Sequence, residues 1–223
     1  MQSAATSISV IPAQAGIQAE GPPIIKHLGL AEYAPVYAAM RRFTETRSAA
    51  TPDELWVLEH PPVYTVGVAG REEHFPRGSK IPLERIDRGG QITYHGPGQA
   101  IVYTLVDLAR RHLTVRAMVT AIEQAVIDTL AAHDVRAARK GGAPGVYVGG
   151  AKVAALGLRV RRGGCYHGVA LNVDMDLGPF SAIDPCGYPG LAVTQTSALG
   201  VAAGTHELGW QLARSIVRLI EDR

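Results

Sequence analysis

Residues 152–173 constrain the fold of this chain more than any other stretch. Apolar and polar residues alternate on both sides of a central Arg-Arg-Gly-Gly, residues 161–164. Alternation on either side of a glycine turn is typical of a β-hairpin, because successive side chains of a strand face opposite sides of the sheet. The sequence therefore predicts a hairpin here, held in place by the rest of the chain.

A second feature follows directly, the heptapeptide Asp-Pro-Cys-Gly-Tyr-Pro-Gly at 184–190. Two prolines and two glycines in seven residues predict a tight, stiff loop. Loops run on the surface and often carry chemistry, so we interpret Cys186 as a nucleophile. The alternative is a thiol turned inward, where cysteine behaves as a small apolar side chain.

Periodicity elsewhere predicts three helices and several strands. Thr114 is the expected N-cap of the middle helix. Strands outnumber helices, and hairpins are mixed with one crossover helix. This favours an α+β fold with a mixed, mostly antiparallel β-sheet and helices packed on it. The helices are expected at 31–46, 115–133 and 205–221, and the strands at 55–58, 63–66, 99–106 and 144–148.

The length of 223 residues suits one domain. Residues 1–22 are small, polar and interrupted by Pro12, so we expect a disordered extension followed by a single catalytic domain at 23–223. The start has no basic region typical of a signal peptide, and no apolar run is long enough to cross a bilayer. We therefore expect a cytoplasmic protein that does not enter a membrane.

The net charge of +2 does not favour nucleic-acid binding. Basic residues are nevertheless clustered, at Arg136, Arg139 and Lys140 and at 159–162. Two clusters flanking the suspected site indicate an acidic partner, while the alternative for each cluster is a solvated strand end or loop tip.

The cysteines and histidines indicate neither a disulfide framework nor a structural metal. Two cysteines, Cys165 and Cys186, are too few for a disulfide framework. Together with His167 they do not match a structural zinc spacing. We expect no metal.

Several short motifs occur in an order that resembles the lipoyl(octanoyl) transferases of lipoate biosynthesis, over about residues 55–197. The resemblance implies the catalytic-domain fold of biotin- and lipoate-protein ligases. It also implies transfer of an octanoyl or lipoyl group from acyl carrier protein to a lysine of a lipoyl domain, through a cysteine thioester. The motifs are Glu-His-Pro-Pro at 59–62, Arg-Gly-Gly-Gln-Ile-Thr-Tyr-His-Gly-Pro-Gly at 88–98, Pro-Gly-Val-Tyr at 144–147, Lys-Val-Ala-Ala-Leu-Gly at 152–157, His-Gly-Val-Ala-Leu-Asn-Val at 167–173 and Pro-Cys-Gly at 185–187.

The resemblance assigns the family nucleophile to Cys186 and the lysine that lowers its pKa to Lys152. The expected partners are octanoyl-acyl carrier protein, the lipoyl domains of 2-oxoacid dehydrogenase complexes and the glycine cleavage H protein. The reaction would be the first step of endogenous protein lipoylation, catalysed by a monomer without a cofactor. The substrate-binding positions it implies are Arg88, Gly89, Gly90, Gln91, Ile92, Thr93, Tyr94, His95, Ala155, Leu156, Gly157, Gly168, Val169 and Ala170.

The residue chemistry agrees with this assignment. A thiolate attacks a thioester to give another thioester, and a free thiol has a pKa of about 8.5. The Lys152 ammonium would favour the thiolate and could later serve as a base for the incoming amine. An ordinary solvated lysine at a strand end is the alternative.

Other parts of the site are open to more than one interpretation. An apolar slot at 154–156 and Val169 would hold the acyl chain, and backbone amides near Gly157, Gly187 or 89–90 are candidates for the oxyanion hole. His95 either binds substrate or holds its glycine-rich loop. We interpret His167 and Asn172 as structural, and Cys165 as incidental.

Two rival functions follow from the same sequence. An ATP-dependent lipoate or biotin ligase would form an acyl-adenylate and need no cysteine, against which the Pro-Cys-Gly loop argues. A binding module would hold the acylated carrier protein without turnover.

Overall fold

The computed structural model describes residues 21–76, 78–184 and 190–222. Residues 1–20, which include nearly all of the expected disordered extension, and Cys186 lie outside this part of the chain. The described chain contains helices α1 (Tyr33–Thr46), α2 (Val115–Ala131) and α3 (Thr205–Glu221). Its strands are β1 (Ile24–Leu30), β2 (Glu54–Glu59), β3 (Val63–Val66), β4 (Leu83–Arg85), β5 (Ile92–His95), β6 (Gln99–Leu105), β7 (Ala138–Lys140), β8 (Ala143–Val148), β9 (Ala151–Arg161) and β10 (Gly164–Asn172).

The strands form a large sheet of seven strands, in the order β1-β2-β6-β10-β9-β8-β7, and a small sheet in the order β4-β3-β5. The pairs β1–β2 and β3–β4 are parallel, and the other described pairs are antiparallel. The predicted α+β class with a mixed, mostly antiparallel sheet is therefore confirmed.

The predicted hairpin is β9 paired with β10, in a register that puts Arg161 opposite Gly164. The two residues at its tip are Arg162 and Gly163, with φ of 51° and 83°. Two left-handed residues match the right-handed twist of the paired strands. The turn is therefore Arg-Gly rather than the Gly-Gly that the sequence suggested.

The three helices lie where periodicity placed them. The Thr114 side chain accepts a hydrogen bond from the amide of Ala117 and so caps α2, as predicted. In α3 the buried face contains Leu208, Leu212 and Ile216, as expected for apolar residues spaced four apart in a helix.

Alternation along the central strands produces two apolar layers. One face of the large sheet, including Val57, Val102 and Val169, packs with α2 and α3 in the largest apolar cluster. The other face, including Trp56 and Tyr103, packs against α1. The cavity described below shares residues with this second layer.

Gly168 lies where β10 pairs with β6. A Cβ built on Gly168 would lie 2.0 Å from the carbonyl oxygen of Val102. Real Cβ atoms do not approach backbone oxygens this closely, so only glycine allows the two strands to pair here.

We predict that Gly168→Ala lowers the free energy of unfolding by about 3 kcal/mol, because one strand must move to relieve the clash. Urea denaturation gives the change. Gly141→Ala is the control, since its Cβ would meet nothing within 4 Å, and we expect a change below about 0.5 kcal/mol. Equal midpoints for the two variants would contradict the argument.

Candidate active site

A cavity of about 370 Å³ lies where strands of the two sheets meet the start of α2. This is a volume typical of small-molecule sites. Its walls come from β5, β6, β9, β10 and the glycine-rich segment at 88–91. The lining residues are Tyr33, Arg88, Gly89, Gly90, Gln91, Ile92, Thr93, His95, Ile101, Tyr103, Val115, Val119, Gly142, Pro144, Ala155, Leu156, Gly157, Leu158, His167, Gly168, Val169 and Ala170.

The three segments expected to bind substrate all contribute to this lining. Residues 155–157 and 168–170 contribute in full, and 88–95 contribute all residues except Tyr94. Tyr94 instead packs beside Tyr64 and Phe180 in the small sheet's own apolar cluster. The predicted acyl slot also needs one correction: Ala154 does not line the cavity and is buried in the core under α2 and α3.

The glycine-rich segment lies directly against β9. The amide of Gly89 donates to the carbonyl of Leu158 at 3.1 Å. A Cβ on Gly157 would lie 3.1 Å from the carbonyl oxygen of Gly89 and 3.2 Å from Cδ of Arg88. Glycine at 157 therefore lets the segment approach the strand, and the Gly89 amide is already engaged, which removes it from the oxyanion candidates.

Arg88 and His95 are joined through one threonine. The Arg88 guanidinium donates to Oγ1 of Thr65 at 2.9 Å, and Nε2 of His95 lies 3.3 Å from the same oxygen. Nδ1 of His95 is 2.7 Å from Oε1 of Gln99, an oxygen that can only accept. His95 therefore donates from Nδ1 and accepts a hydrogen bond from the Thr65 hydroxyl at Nε2. This agrees with the interpretation that His95 holds its glycine-rich loop, and the ring also lines the cavity.

His60 is a second buried histidine behind the same wall. Its Nδ1 donates to the carbonyl of Ala31, and its Nε2 accepts from the hydroxyl of Tyr103 at 2.8 Å. Burial lowers the pKa of His60 to about 4 and that of His95 to about 3. Both rings are neutral near neutral pH.

His167, which we interpreted as structural, also lines the cavity. Its φ is 64°, an uncommon value for a residue with a side chain. The ring stacks beside Tyr37 and Tyr166, and Nε2 lies 3.3 Å from the carboxylate of Asp87. Burial lowers the pKa of His167, although Asp87 acts in the opposite direction. Its place in the cavity wall was missed, because the left-handed backbone that orients it is not predictable from strand alternation.

Lys152 is almost completely buried, with 3% of its surface exposed. Its Nζ donates to the carbonyl of Pro144, which lines the cavity, at 3.0 Å. The ammonium also lies 5.3 Å from the centre of the Tyr147 ring. The solvated strand-end alternative for Lys152 is therefore wrong.

The chain before residue 185 is anchored near the small sheet, and the chain after residue 189 is anchored near Lys152. Asp184 is paired with Nδ1 of His74 at 2.8 Å. Beyond the loop, the Lys152 amide donates to the carbonyl of Ala192, and the Thr194 amide donates to the carbonyl of Lys152. Cys186 itself is outside the described residues.

The other cysteine, Cys165, is fully buried in the core under α2 and α3. Burial raises the pKa of its thiol to about 11. It remains a thiol near neutral pH and has no access to a substrate, in agreement with its interpretation as incidental.

The two basic clusters differ in position. Arg161 pairs with Glu45 of α1 at 2.8 Å, and Arg162 donates to the carbonyl of the same residue. These arginines lie about 30 Å along β9 from Lys152, at roughly 3.3 Å per residue. Arg161 and Arg162 are therefore far from Lys152, whereas Arg159 of the same cluster lies 4.0 Å from Asp87, next in sequence to Leu158 of the cavity wall.

In the first cluster, Arg139 is held by Glu123 at 3.1 Å, while Lys140 lies 5.8 Å from the Tyr147 ring that Lys152 also contacts. Arg136 and Lys140 are exposed. This cluster therefore lies on the Lys152 side of the molecule.

The described part of the chain offers neither a metal site nor a membrane-spanning helix. No three His, Cys, Asp or Glu side chains there are grouped so that they could hold a metal ion. Within the same residues, no helix has the length and apolar character required to cross a membrane.

The family described as "Lipoyl protein ligase A/B catalytic domain" matches residues 32–207. The chain belongs to this family. An octanoyltransferase of Dechloromonas aromatica is 56% identical over 202 residues, which cover 91% of this chain and 98% of the relative. An octanoyltransferase of Aromatoleum aromaticum is also 56% identical, over 96% of this chain and 93% of its own. The resemblance to lipoyl(octanoyl) transferases is confirmed.

Solved structures of the lipoyl protein ligase A/B family share the fold. A lipoate-protein ligase A bound with ATP has a TM-score of 0.75 at 16% identity, covering 90% of this chain and 86% of its own. A bipartite lipoate protein ligase studied with its E2 lipoyl domain, from Thermoplasma acidophilum, has a TM-score of 0.72 at 16% identity, covering 91% and 85%. These likenesses confirm the predicted ligase-like fold.

The buried histidines predict acid sensitivity. Their folded-state pKa values lie below the value of about 6.5 in the unfolded chain. The unfolded state therefore binds more protons, and stability is lost as pH falls from about 6.5 towards 4. We expect His60→Gln to be less stable than wild type at pH 8 and to lose part of this pH dependence, by up to roughly 3 kcal/mol.

Urea midpoints at several pH values between 8 and 4.5 measure the effect. His27→Gln, at an exposed position of β1, is the control and should keep the wild-type pH dependence. An unchanged pH dependence in His60→Gln would show that other groups cause the acid sensitivity.

Proposed function

We propose that this protein is an acyltransferase of protein lipoylation, which moves an octanoyl or lipoyl group from acyl carrier protein to a lysine of a lipoyl domain. One observation carries the proposal. The three expected binding segments line one cavity beside the buried Lys152 ammonium, in a chain 56% identical to named octanoyltransferases. The acceptors would be the lipoyl domains of 2-oxoacid dehydrogenase complexes and the glycine cleavage H protein, in the cytoplasm.

In the first half-reaction, the Cys186 thiolate attacks the thioester carbonyl of the donor. The carbonyl carbon forms a bond to the Cys186 sulfur, and the bond to the carrier's pantetheine sulfur breaks. The carrier leaves as a thiolate, which takes up a proton. A nearby ammonium lowers the pKa of the attacking thiol, and Lys152 supplies that charge.

In the second half-reaction, the amine of the acceptor lysine attacks the new thioester. An amide forms, and Cys186 is released. The attacking amine must lose a proton, and Lys152 in its neutral form is the proposed base. A lysine suits both half-reactions. In the first, the ammonium gives its proton to the departing carrier thiolate, and the neutral amine that remains is the base required in the second.

The acyl chain is proposed to occupy the cavity. The small residues Ala155 and Gly157 leave space along β9, and Leu156, Val169 and Ile101 provide apolar contacts. The side chain of Tyr94 has no place in this proposal, because it packs within the small sheet.

We expect Cys186→Ala to abolish both acyl transfer and the covalent octanoyl adduct, whereas Cys165→Ser retains most activity. Intact-mass measurement after incubation with octanoyl-acyl carrier protein detects the adduct, without ATP or magnesium. An adduct that persists in Cys186→Ala would remove the cysteine from the mechanism. Transfer that requires ATP would favour an acyl-adenylate ligase, and binding without any adduct would favour the binding module.

Docking of an acidic carrier protein is proposed to use Arg136 and Lys140, the exposed cations of the cluster on the Lys152 side. Charges at the rim of an interface act mainly on association and are screened by salt. Arg161 and Arg162 are engaged with α1 and lie far from Lys152. They form a matched comparison with the same charge.

We predict that the double variant Arg136→Glu, Lys140→Glu raises the KM for octanoyl-acyl carrier protein about tenfold. The double variant Arg161→Glu, Arg162→Glu should change it less than about twofold. Steady-state kinetics with the protein donor and with a small octanoyl thioester separate docking from damage to the site. Equal effects of the two double variants, or equal effects on both donors, would contradict docking at this cluster.

A further inference from the structure

The ammonium of Lys152 lies in a seat formed by Pro144, Gly145 and Tyr147 of β8. The Pro144 carbonyl accepts from Nζ at 3.0 Å, and the Tyr147 ring centre is 5.3 Å away. An aromatic face attracts a cation, and the attraction is strongest where water is excluded. With 3% of Lys152 exposed, the ring and the carbonyl replace part of the hydration that the charge has lost.

Gly145 makes this seat possible. A Cβ at this position would lie 3.0 Å from Cε and 3.3 Å from Nζ of Lys152, and 2.8 Å from the carbonyl oxygen of Ala154. Its φ of 134° is also one that other residues rarely adopt. A glycine at 145 therefore leaves the space that the Lys152 side chain occupies.

Glu123 of α2 fixes this bend from the other side. Its Oε1 accepts from the Gly145 amide at 3.0 Å, and its Oε2 accepts from Nε of Arg139 at 3.1 Å. Only 8% of Glu123 is exposed. One buried carboxylate thus joins β7 and β8 to α2 next to the seat, where a charge-assisted hydrogen bond is strong.

We propose that Glu123 and Tyr147 are positioning residues for Lys152. Tyr147 holds the ammonium through its ring face, and Glu123 holds the strand that carries the ring and the Pro144 carbonyl. This inference rests on the proposed function, in which Lys152 serves the reactive thiol. Neither residue lines the cavity, so each acts through the lysine.

Two substitutions of Tyr147 separate the ring from its hydroxyl. The hydroxyl donates to the carbonyl of Ala143 at 3.1 Å. Tyr147→Phe loses this bond and keeps the aromatic face, whereas Tyr147→Leu loses both. We expect the conservative Phe variant to stay within about twofold of wild type in kcat, and the Leu variant to lose about tenfold with little change in KM for a small octanoyl thioester.

The pH dependence of alkylation by iodoacetamide is the second readout, because it reports the thiolate fraction of the reactive cysteine. Cys165 is replaced with Ala so that one thiol is measured. The alkylation midpoint should rise by at least about half a pH unit in Tyr147→Leu, since a displaced ammonium stabilises the thiolate less. Purely structural damage would lower the melting temperature and leave this midpoint in place.

Glu123→Gln tests the other residue without a large change in shape. The amide keeps an acceptor for the Gly145 amide and loses the charge that holds Arg139. We expect a fall in kcat of about threefold and a smaller rise in the alkylation midpoint. Glu207→Gln is the control: it removes one negative charge from α3, where the carboxylate accepts from Gln211 away from the seat, and it should change neither readout.

Lys152→Met distinguishes this inference from the proposed function. If Lys152→Met raises the midpoint and Tyr147→Leu and Glu123→Gln do not, the positioning roles are overturned while the lysine keeps its role. If Lys152→Met leaves the midpoint unmoved, the proposed role of the lysine fails and the positioning roles fail with it. Equal effects of Tyr147→Leu and Tyr147→Phe would also overturn the role of the ring.

Discussion

The antiparallel pairing of β9 with β10 is the constraint on which the site depends. Its register places 155–157 beside 168–170, so that one hairpin supplies two of the three cavity segments. The pairing in turn requires β10 to pass close to β6, which only Gly168 permits. Because Lys152 lies near the start of the same hairpin, any shift in register would move the lysine and the cavity wall together.

A chain of buried hydrogen bonds connects the cavity to the backbone of Lys152. Each group in it has a partner on both sides, which is what makes burial of so many polar atoms tolerable. Asn172, which we interpreted as structural, is a link in it. This series of hydrogen bonds crosses from the small sheet to the large sheet and then to Thr194. Its members, in order, are Arg88, Thr65, His95, Gln99, Asn172, Thr194 and Lys152.

Local patterns predicted the three helices and the central strands, but not the strands β1, β4 and β7. Tertiary contacts decided the rest. The hairpin, the Thr114 cap and the apolar face of α3 all depend on neighbours in sequence, and each is confirmed. Burial of Lys152 was not predictable in this way, although the enclosing residues belong to the partner strand of its own hairpin. The enclosure depends on the unusual backbone at Gly145, which the distant carboxylate of Glu123 holds from α2. The position of His167 was missed because one left-handed residue reverses the side to which strand alternation would direct it.

The environment of Cys165 shows what a reactive thiol must avoid. On the α2 and α3 side, burial raises the pKa of Cys165 to about 11, although hydrogen bonds and the charge of Arg47 act in the opposite direction. A reactive thiol needs the reverse, a positive charge held in place where water is scarce. The side chain of Lys152 stays in a nearly dry position because the Pro144 carbonyl and the Tyr147 ring compensate for its lost hydration. A lysine that moved freely in solvent would lower the pKa of a neighbouring thiol less, because water weakens the Coulomb interaction between the two charges.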